Sequence, residues 1–296
     1  MRRSSWPARS PVGWPRLGLL AVPLAVLIGL TSYALLTFAL SRPPGVDVAA
    51  YWNAAERLRD GDPLYAAGAA NASDLYRYAP WFALLWIPLT YLPQEAVTAG
   101  WVGLMVAAAL LSTVPLLQRG PTGWAAFAFF APLQLQGAVF GNVQPLLVLI
   151  LMWGIQRRSG PLWVAIGASL KAVPLALALV YAGRGEWAKA AWAVVLTAGL
   201  VAPMLLFDLS AYSTSPGPNQ LSLAGVSPFL FVPVAVATLI AAYVMARTRH
   251  GWLAGAVAVV ATTPRLLSYQ AGFILVGLPF NAPSRTETRE VPTSRA

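Results

Sequence analysis

The sequence has no cysteine, one histidine and few charges: only 10% of its 296 residues are ionic. Without cysteine there is no disulfide scaffold, and His250 alone excludes most transition-metal sites. Soluble domains carry about 25% charged residues, so this chain lacks the ionic surface that would keep its apolar mass in water. Neither G-x-x-x-x-G-K-[ST] nor G-x-G-x-x-G occurs, which argues against nucleotide hydrolysis. What is present is 58% hydrophobic, with a mean hydropathy of +0.63. That excludes disorder and leaves an integral membrane protein. The formal charge of +10 does not indicate a nucleic-acid partner, because cations of membrane proteins gather in cytoplasmic loops.

Arg2, Arg3, Arg9 and Arg16 precede an apolar run over 17–40. That run is too long for a signal-peptide core and long enough to span a bilayer. The basic flank places the N-terminal tail, residues 1–16, in the cytoplasm. Residues 41–79 form the longest polar segment, with Asp47, Glu56, Asp60, Asp62 and Asp74 set against four arginines; it is expected outside. Within it, Tyr51, Ala54, Ala55 and Leu58 share a helical stripe, and Asp60-Gly61-Asp62-Pro63 stops that helix. A short amphipathic helix lying on the membrane surface fits.

Apolar segments follow at 80–93, 96–117, 122–140, 143–156, 161–183, 187–207, 228–246, 251–263 and 267–280. Several are short or interrupted by proline, which is tolerated at membrane depth only where the backbone faces protein or a polar cavity. The expected fold is an all-α polytopic bundle of eight to ten membrane segments, some short or re-entrant. It is expected to form a single domain over 17–280, followed by a short, polar, disordered tail in the cytoplasm at 281–296. Arg157 and Arg158 precede segment 161–183, while Arg184 and Lys189 follow it. Either the segment is a re-entrant hairpin of two half-helices meeting near Lys171–Pro174, or it is one span that violates the charge rule. The cation-free 208–227 is expected outside, and Arg247, Arg249 and His250 inside.

Five polar islands stand out along the chain. Asp47 lies just after the first span, where a carboxylate suits a general base; an aspartate before an Ala-rich helix equally suits an N-cap. Asp60 and Asp62 suit a solvated turn better than a cation site. Lys171 is the only charge within 161–183, a functional signal at membrane depth, unless it snorkels to an interface. Asn142 and Gln144 offer amides to sugar hydroxyls or to broken helices. Thr263 to Gln270 carries Arg265, which can clamp a phosphate, or else simply joins two helices.

In this order the islands resemble glycosyltransferase family 87. Asp47 through Tyr65 resembles the D-x-x-x-Y-x-x-A-A-x-x-L-x-x-G-x-x-x-Y signature. Tyr76 through Leu89 resembles Y-x-P-P-x-x-x-x-x-x-x-P-L, with Ala79 replacing the first proline. Gly141-Asn142-Val143-Gln144 is similar to G-Q-x-N with the amides exchanged, and Gly167 through Pro174 to G-x-x-x-x-K-x-x-P. Pro264 to Gln270 is similar to the family's C-terminal Pro and Tyr or His island.

The resemblance implies a GT-C-like bundle and an inverting hexosyltransferase, typically a mannosyltransferase. Its partners would be a polyprenyl-phosphate sugar donor, a glycan or glycolipid acceptor, and the lipid bilayer. Asp47 would be the general base, and Lys171 and Arg265 the binders of the donor phosphate. Tyr51, Arg77, Tyr78, Asn142, Gln144 and Tyr269 would bind substrate. No cofactor or metal is called for, since lysine or arginine supplies the positive charge. The implied location is the cell membrane, multi-pass, with an extracytoplasmic active site. A transporter or flippase of lipid-linked sugars fits the broken helices, and an inactive family member fits the short chain and altered motifs.

Overall fold

A computed structural model describes residues 15–66, 75–212 and 221–278. The basic stretch before residue 15, Asp74, residues 213–220 of the 208–227 loop, and the 281–296 tail lie outside the described residues. Among those described, every regular element is helical. In chain order they are α1 (Pro15–Leu40), α2 (Val48–Asp60), α3 (Pro80–Trp86), α4 (Gln94–Thr113), α5 (Gly120–Val139), α6 (Gln144–Gly154), α7 (Gly160–Leu170) and α8 (Ala178–Gly183). They continue with α9 (Trp187–Val201), α10 (Leu223–Val226), α11 (Pro228–Val244) and α12 (Gly251–Ala261), and a 3-10 helix, Ser268–Gly277, follows.

Helix length separates sheath from core. Four stretches are long and apolar enough to cross a membrane: Pro23–Leu40, Gln94–Val139 (α4 and α5 together), Trp187–Leu206 and Pro228–Arg247. Little of each is buried, from 6% of the α1 window to 33% of the α4–α5 window, as expected of helices whose outer faces meet lipid tails. Four further apolar helices, Gln144–Gly154, Gly160–Leu170, Val173–Gly183 and Gly251–Ala261, are shorter. At about 1.5 Å per residue an 11-residue helix reaches roughly 16 Å, half the hydrocarbon thickness. These short helices supply much of the core, including the fully buried Leu147, Leu151, Val164, Val180 and Val259. A helix that ends inside the bilayer must turn where protein, not lipid, satisfies its backbone.

Segment 161–183 is the hairpin. α7 stops at Lys171, whose backbone is extended (φ −143°, ψ 102°), and Pro174 opens the returning 3-10 turn at Val173–Leu177. Gly167 makes the return possible, because the Pro174 ring lies 3.3 Å from where a Cβ would stand. The arms close at the far end, where the Tyr181 hydroxyl donates to the Ile155 carbonyl and packs against Gly160. The basic flanks therefore share one end of the molecule. There Arg184 Nε donates to the Ala246 carbonyl (2.8 Å) and Arg247 Nε to that of Gly183 (3.0 Å), so each guanidinium caps the other helix's C-terminal carbonyls. α12 and the final 3-10 helix form a second return, Gly277 lying against Leu253.

The amphipathic stripe of α2 forms, with Tyr51, Ala54 and Ala55 buried and Gly61 (φ 84°) stopping the helix. Its partner is not the membrane surface, as the sequence suggests, but protein. The Tyr51 ring stands 5.1 Å from those of Phe82 and Trp86, 5.4 Å from Tyr78 and 6.0 Å from Trp101. Such pairs add about 0.5–1.5 kcal/mol each beyond their buried area, and together they lock α2 to α3 and α4.

Gly160→Ala drives a methyl into the Tyr181 hydroxyl and the Ile155 carbonyl and is expected to cost about 1–3 kcal/mol, seen as a lower thermal midpoint in detergent. Gly199→Ala, with nothing within 4 Å of the new methyl, is expected to leave the midpoint level or raise it. Equal midpoints for the two variants would contradict the hairpin.

Candidate functional site

Four parts of the chain meet at one amide. Asn142 Nδ2 donates to Asp47 Oδ2 at 2.6 Å and to the Tyr269 hydroxyl at 3.2 Å. Its Oδ1 accepts from Lys171 Nζ at 3.0 Å and from the Gln144 backbone N–H at 3.0 Å. Lys171 Nζ also lies over the Tyr269 ring, 5.3 Å from its centroid. Asn142 is 4% exposed, whereas Asp47 and Lys171 each remain partly exposed.

Each participant is placed by its own element. Asp47 occupies the N-cap position of α2 but makes no side-chain cap bond; the carboxylate turns to Asn142 instead, which corrects the capping alternative. Two glycines permit this. Gly45 (φ 77°) and Gly141 (φ 72°) adopt left-handed backbone, favoured by glycine because it lacks a Cβ. They face each other so closely that a Cβ on Gly141 would stand 3.1 Å from Gly45 Cα and 2.6 Å from Val48 Cγ2. The loop before α2 is then stitched to the end of α5, with Gly45 N–H on the Val139 carbonyl (2.8 Å) and Asp47 N–H on that of Phe140 (2.9 Å). Lys171 projects from the hairpin tip. Tyr269 comes from the C-terminal 3-10 helix, which approaches α5 where Gly137 has no side chain.

The other expected site residues are placed less centrally. Tyr51 is fully buried, with its hydroxyl 3.4 Å from that of Tyr78. Arg77 sits close enough to Asp47 for its charge to act on the carboxylate, and the Asp47 charge in turn reaches the Tyr78 hydroxyl. Arg265 is near enough for its charge to bear on Tyr269, but among the described residues it donates no hydrogen bond to the cluster. The Gln144 side chain is fully buried, and both its amide atoms lack a partner among the described residues; its backbone N–H is what joins the cluster. Asp60 pairs with neighbouring Arg59 at 2.8 Å in an exposed turn. Among the described residues no three His, Cys, Asp or Glu side chains stand together as a metal site.

Trp101 was not legible as part of the site. Its indole N–H donates to the Gly141 carbonyl at 2.7 Å, bracing the turn that carries Asn142. Within an apolar helix a tryptophan gives no sign of such a partner. Burial lifts the Asp47 carboxyl above its ordinary range, and the Asn142 hydrogen bond and the charges of Lys171 and Arg77 oppose that rise.

The family model of glycosyltransferase family 87 matches residues 76–218, bearing out over that stretch the resemblance read from the sequence. No curated protein and no solved structure matches the chain. The matched stretch contains Asn142 and Lys171. Asp47 and Tyr269 lie outside it, and the hydrogen bonds of Asn142 join the two sets.

Gly141→Ala combines a left-handed backbone with a methyl against Val48, and is expected to destabilise by about 1–3 kcal/mol. Denaturation in detergent checks this, and an unchanged midpoint would show that the paired-glycine turn is not needed to seat Asn142.

Proposed function

We propose that this chain, matched by family 87 across residues 76–218, transfers a hexose, mannose in the typical case, from a polyprenyl-phosphate donor to an extracytoplasmic glycan or lipid hydroxyl. The match itself implies a glycosyltransferase in a protein with membrane-length helices. Donor, stereochemistry and residue roles are our inference. One observation supports them most: a carboxylate and an ammonium from residues 47 and 171 are held side by side across Asn142. Two hydrogen bonds and one amide separate the charges by no more than about 8 Å. A base and a leaving-group clamp on opposite faces of one sugar carbon need a spacing of that order; inverting glycosidases hold their two carboxyls about 6.5–9.5 Å apart.

In the proposed step Asp47 Oδ1 removes the proton of the acceptor hydroxyl. The hydroxyl oxygen forms a bond to the anomeric carbon as the bond from that carbon to the phosphate oxygen breaks. Configuration inverts in a single displacement, and polyprenyl phosphate leaves with the electron pair. Lys171 meets the departing charge with its remaining protons, Arg265 flanks it, and Tyr269, Tyr78 and Arg77 line the sugar. A lipid-linked donor suits a cluster enclosed by apolar helices. The arginine-rich end, with Arg184 and Arg247, would face the cytoplasm, leaving α2 and the Asp47 loop on the outer side.

Asp47→Asn is expected to lower transfer from a polyprenyl-phosphate sugar about 10²–10⁴-fold, the worth of a general base, while the variant still folds and inserts. Unimpaired turnover would remove Asp47 from the role. Because burial raises its carboxyl, the base is ionised only above a pKa higher than the usual ~3.9. Wild-type turnover is therefore expected to rise with pH through a limb above that value. The broken helix at Lys171 also suits a flippase; proteoliposomes that move lipid-linked sugar without any acceptor, and show no transfer, would favour that reading.

A further inference from the structure

The sequence offers Asn142 as a substrate ligand, but its bonding leaves no capacity for one. An asparagine amide has two N–H donors and two carbonyl lone pairs. The donors go to Asp47 and Tyr269, and the lone pairs face Lys171 and the Gln144 N–H. The side chain is also buried beneath two charged neighbours that are partly exposed. Its orientation follows from the network, since reversing it would set N–H groups against an ammonium and an oxygen against a carboxylate.

We infer that Asn142 is a positioning residue that holds the Asp47 carboxylate and the Lys171 ammonium apart as neighbours, so that each keeps a free face for substrate. No direct Asp47–Lys171 ion pair exists among the described residues. Without the intervening amide the long lysine reaches the carboxylate directly. The contact pair then turns both groups inward: the base loses basicity and the ammonium loses protons it would present to a phosphate. The backbone fixes the spacer, with Asn142 N–H bonded to the Gly137 carbonyl at 2.9 Å after the left-handed Gly141. The catalytic consequence rests on the proposed transfer; the spacer role itself rests on geometry alone and is tested without substrate.

The test is zero-length carbodiimide coupling of the full chain in detergent, with linked peptides identified by mass spectrometry. Wild type is expected to yield little Asp47–Lys171 amide, and Asn142→Ala several-fold more. Equal yields would overturn the spacer. Asn142→Asp, nearly isosteric and less disruptive to folding, is expected to couple Lys171 to position 142 instead. Coupling to neither carboxylate in that variant would show that the lysine does not face this position.

Where wild type transfers sugar, Asn142→Ala is expected to lower kcat about 10–100-fold, the cost of misplaced reacting groups, with the donor KM little changed and the acidic limb of the pH profile displaced. An unchanged kcat with a raised KM would make Asn142 an ordinary substrate ligand and overturn the inference. A wild-type chain with no transfer at all refutes the proposed reaction, while the coupling yields still decide the spacer.

Discussion

The fold converges on one buried amide. Asn142 joins the loop before α2, the α5–α6 turn, the tip of the α7 hairpin and the C-terminal 3-10 helix. These come from residues 47, 142–144, 171 and 269, and no helix spans more than one of them. In apolar surroundings each unmade hydrogen bond costs about 1–3 kcal/mol, more beside a charge. An arrangement that slips any of the four elements therefore leaves a donor or acceptor stranded. Apolar packing alone is tolerant of small slides; the polar cluster is not.

That convergence explains the two helix lengths. Helices of membrane-spanning length such as α1 and α11 lie outside, with most of their apolar sides exposed. Neither carries a residue that bonds Asn142. The half-length helices can deliver side chains to the interior because they end there. α7 stops at Lys171 and α6 begins just after Asn142, so both termini face the cluster. Gly167 and Pro174 show the same logic at atomic scale: the glycine admits the proline ring, the proline starts the returning 3-10 turn, and lysine is left at the tip between them.

Much of this was legible in the sequence, for identifiable reasons. Arginines on both flanks of 161–183 could not both lie inside if the segment crossed once; the sequence leaves a hairpin or a violated charge rule, and the break at Lys171 with the Tyr181–Ile155 contact decides for the hairpin. Polar residues stand out between apolar runs because burying them is costly, and Asp47, Asn142, Lys171 and Tyr269 all do so. Their mutual contacts were not, since pairs separated by 95 and 127 positions leave no periodic trace. The capping alternative for Asp47 was a statement about local preference, and a tertiary partner outcompeted it. The stripe of α2 announced an apolar face but not what covers it. Asn142 and Gln144 looked equivalent, yet one amide bonds four groups and the other contributes only its backbone N–H, a difference set by where each residue sits in the turn.

Magnitudes show why the spacer has to be a group that both donates and accepts, as an amide does. At an effective dielectric near 20, unit charges about 8 Å apart attract by about 2 kcal/mol, and at contact by about 5. Because 8 Å is the upper limit of the separation, collapse to an ion pair would gain at most roughly 3 kcal/mol. It would forfeit two hydrogen bonds to charged groups, each worth about 1.5–3 kcal/mol. The separated state holds by a narrow margin, and only a group that donates on one side and accepts on the other can hold it. In the proposed reaction that margin is useful. A phosphate at Lys171 cancels the positive field that keeps Asp47 acidic, so the carboxylate becomes a stronger base when a donor is in place. The same geometry that prevents the two side chains from neutralising each other lets the donor's arrival be felt at the base.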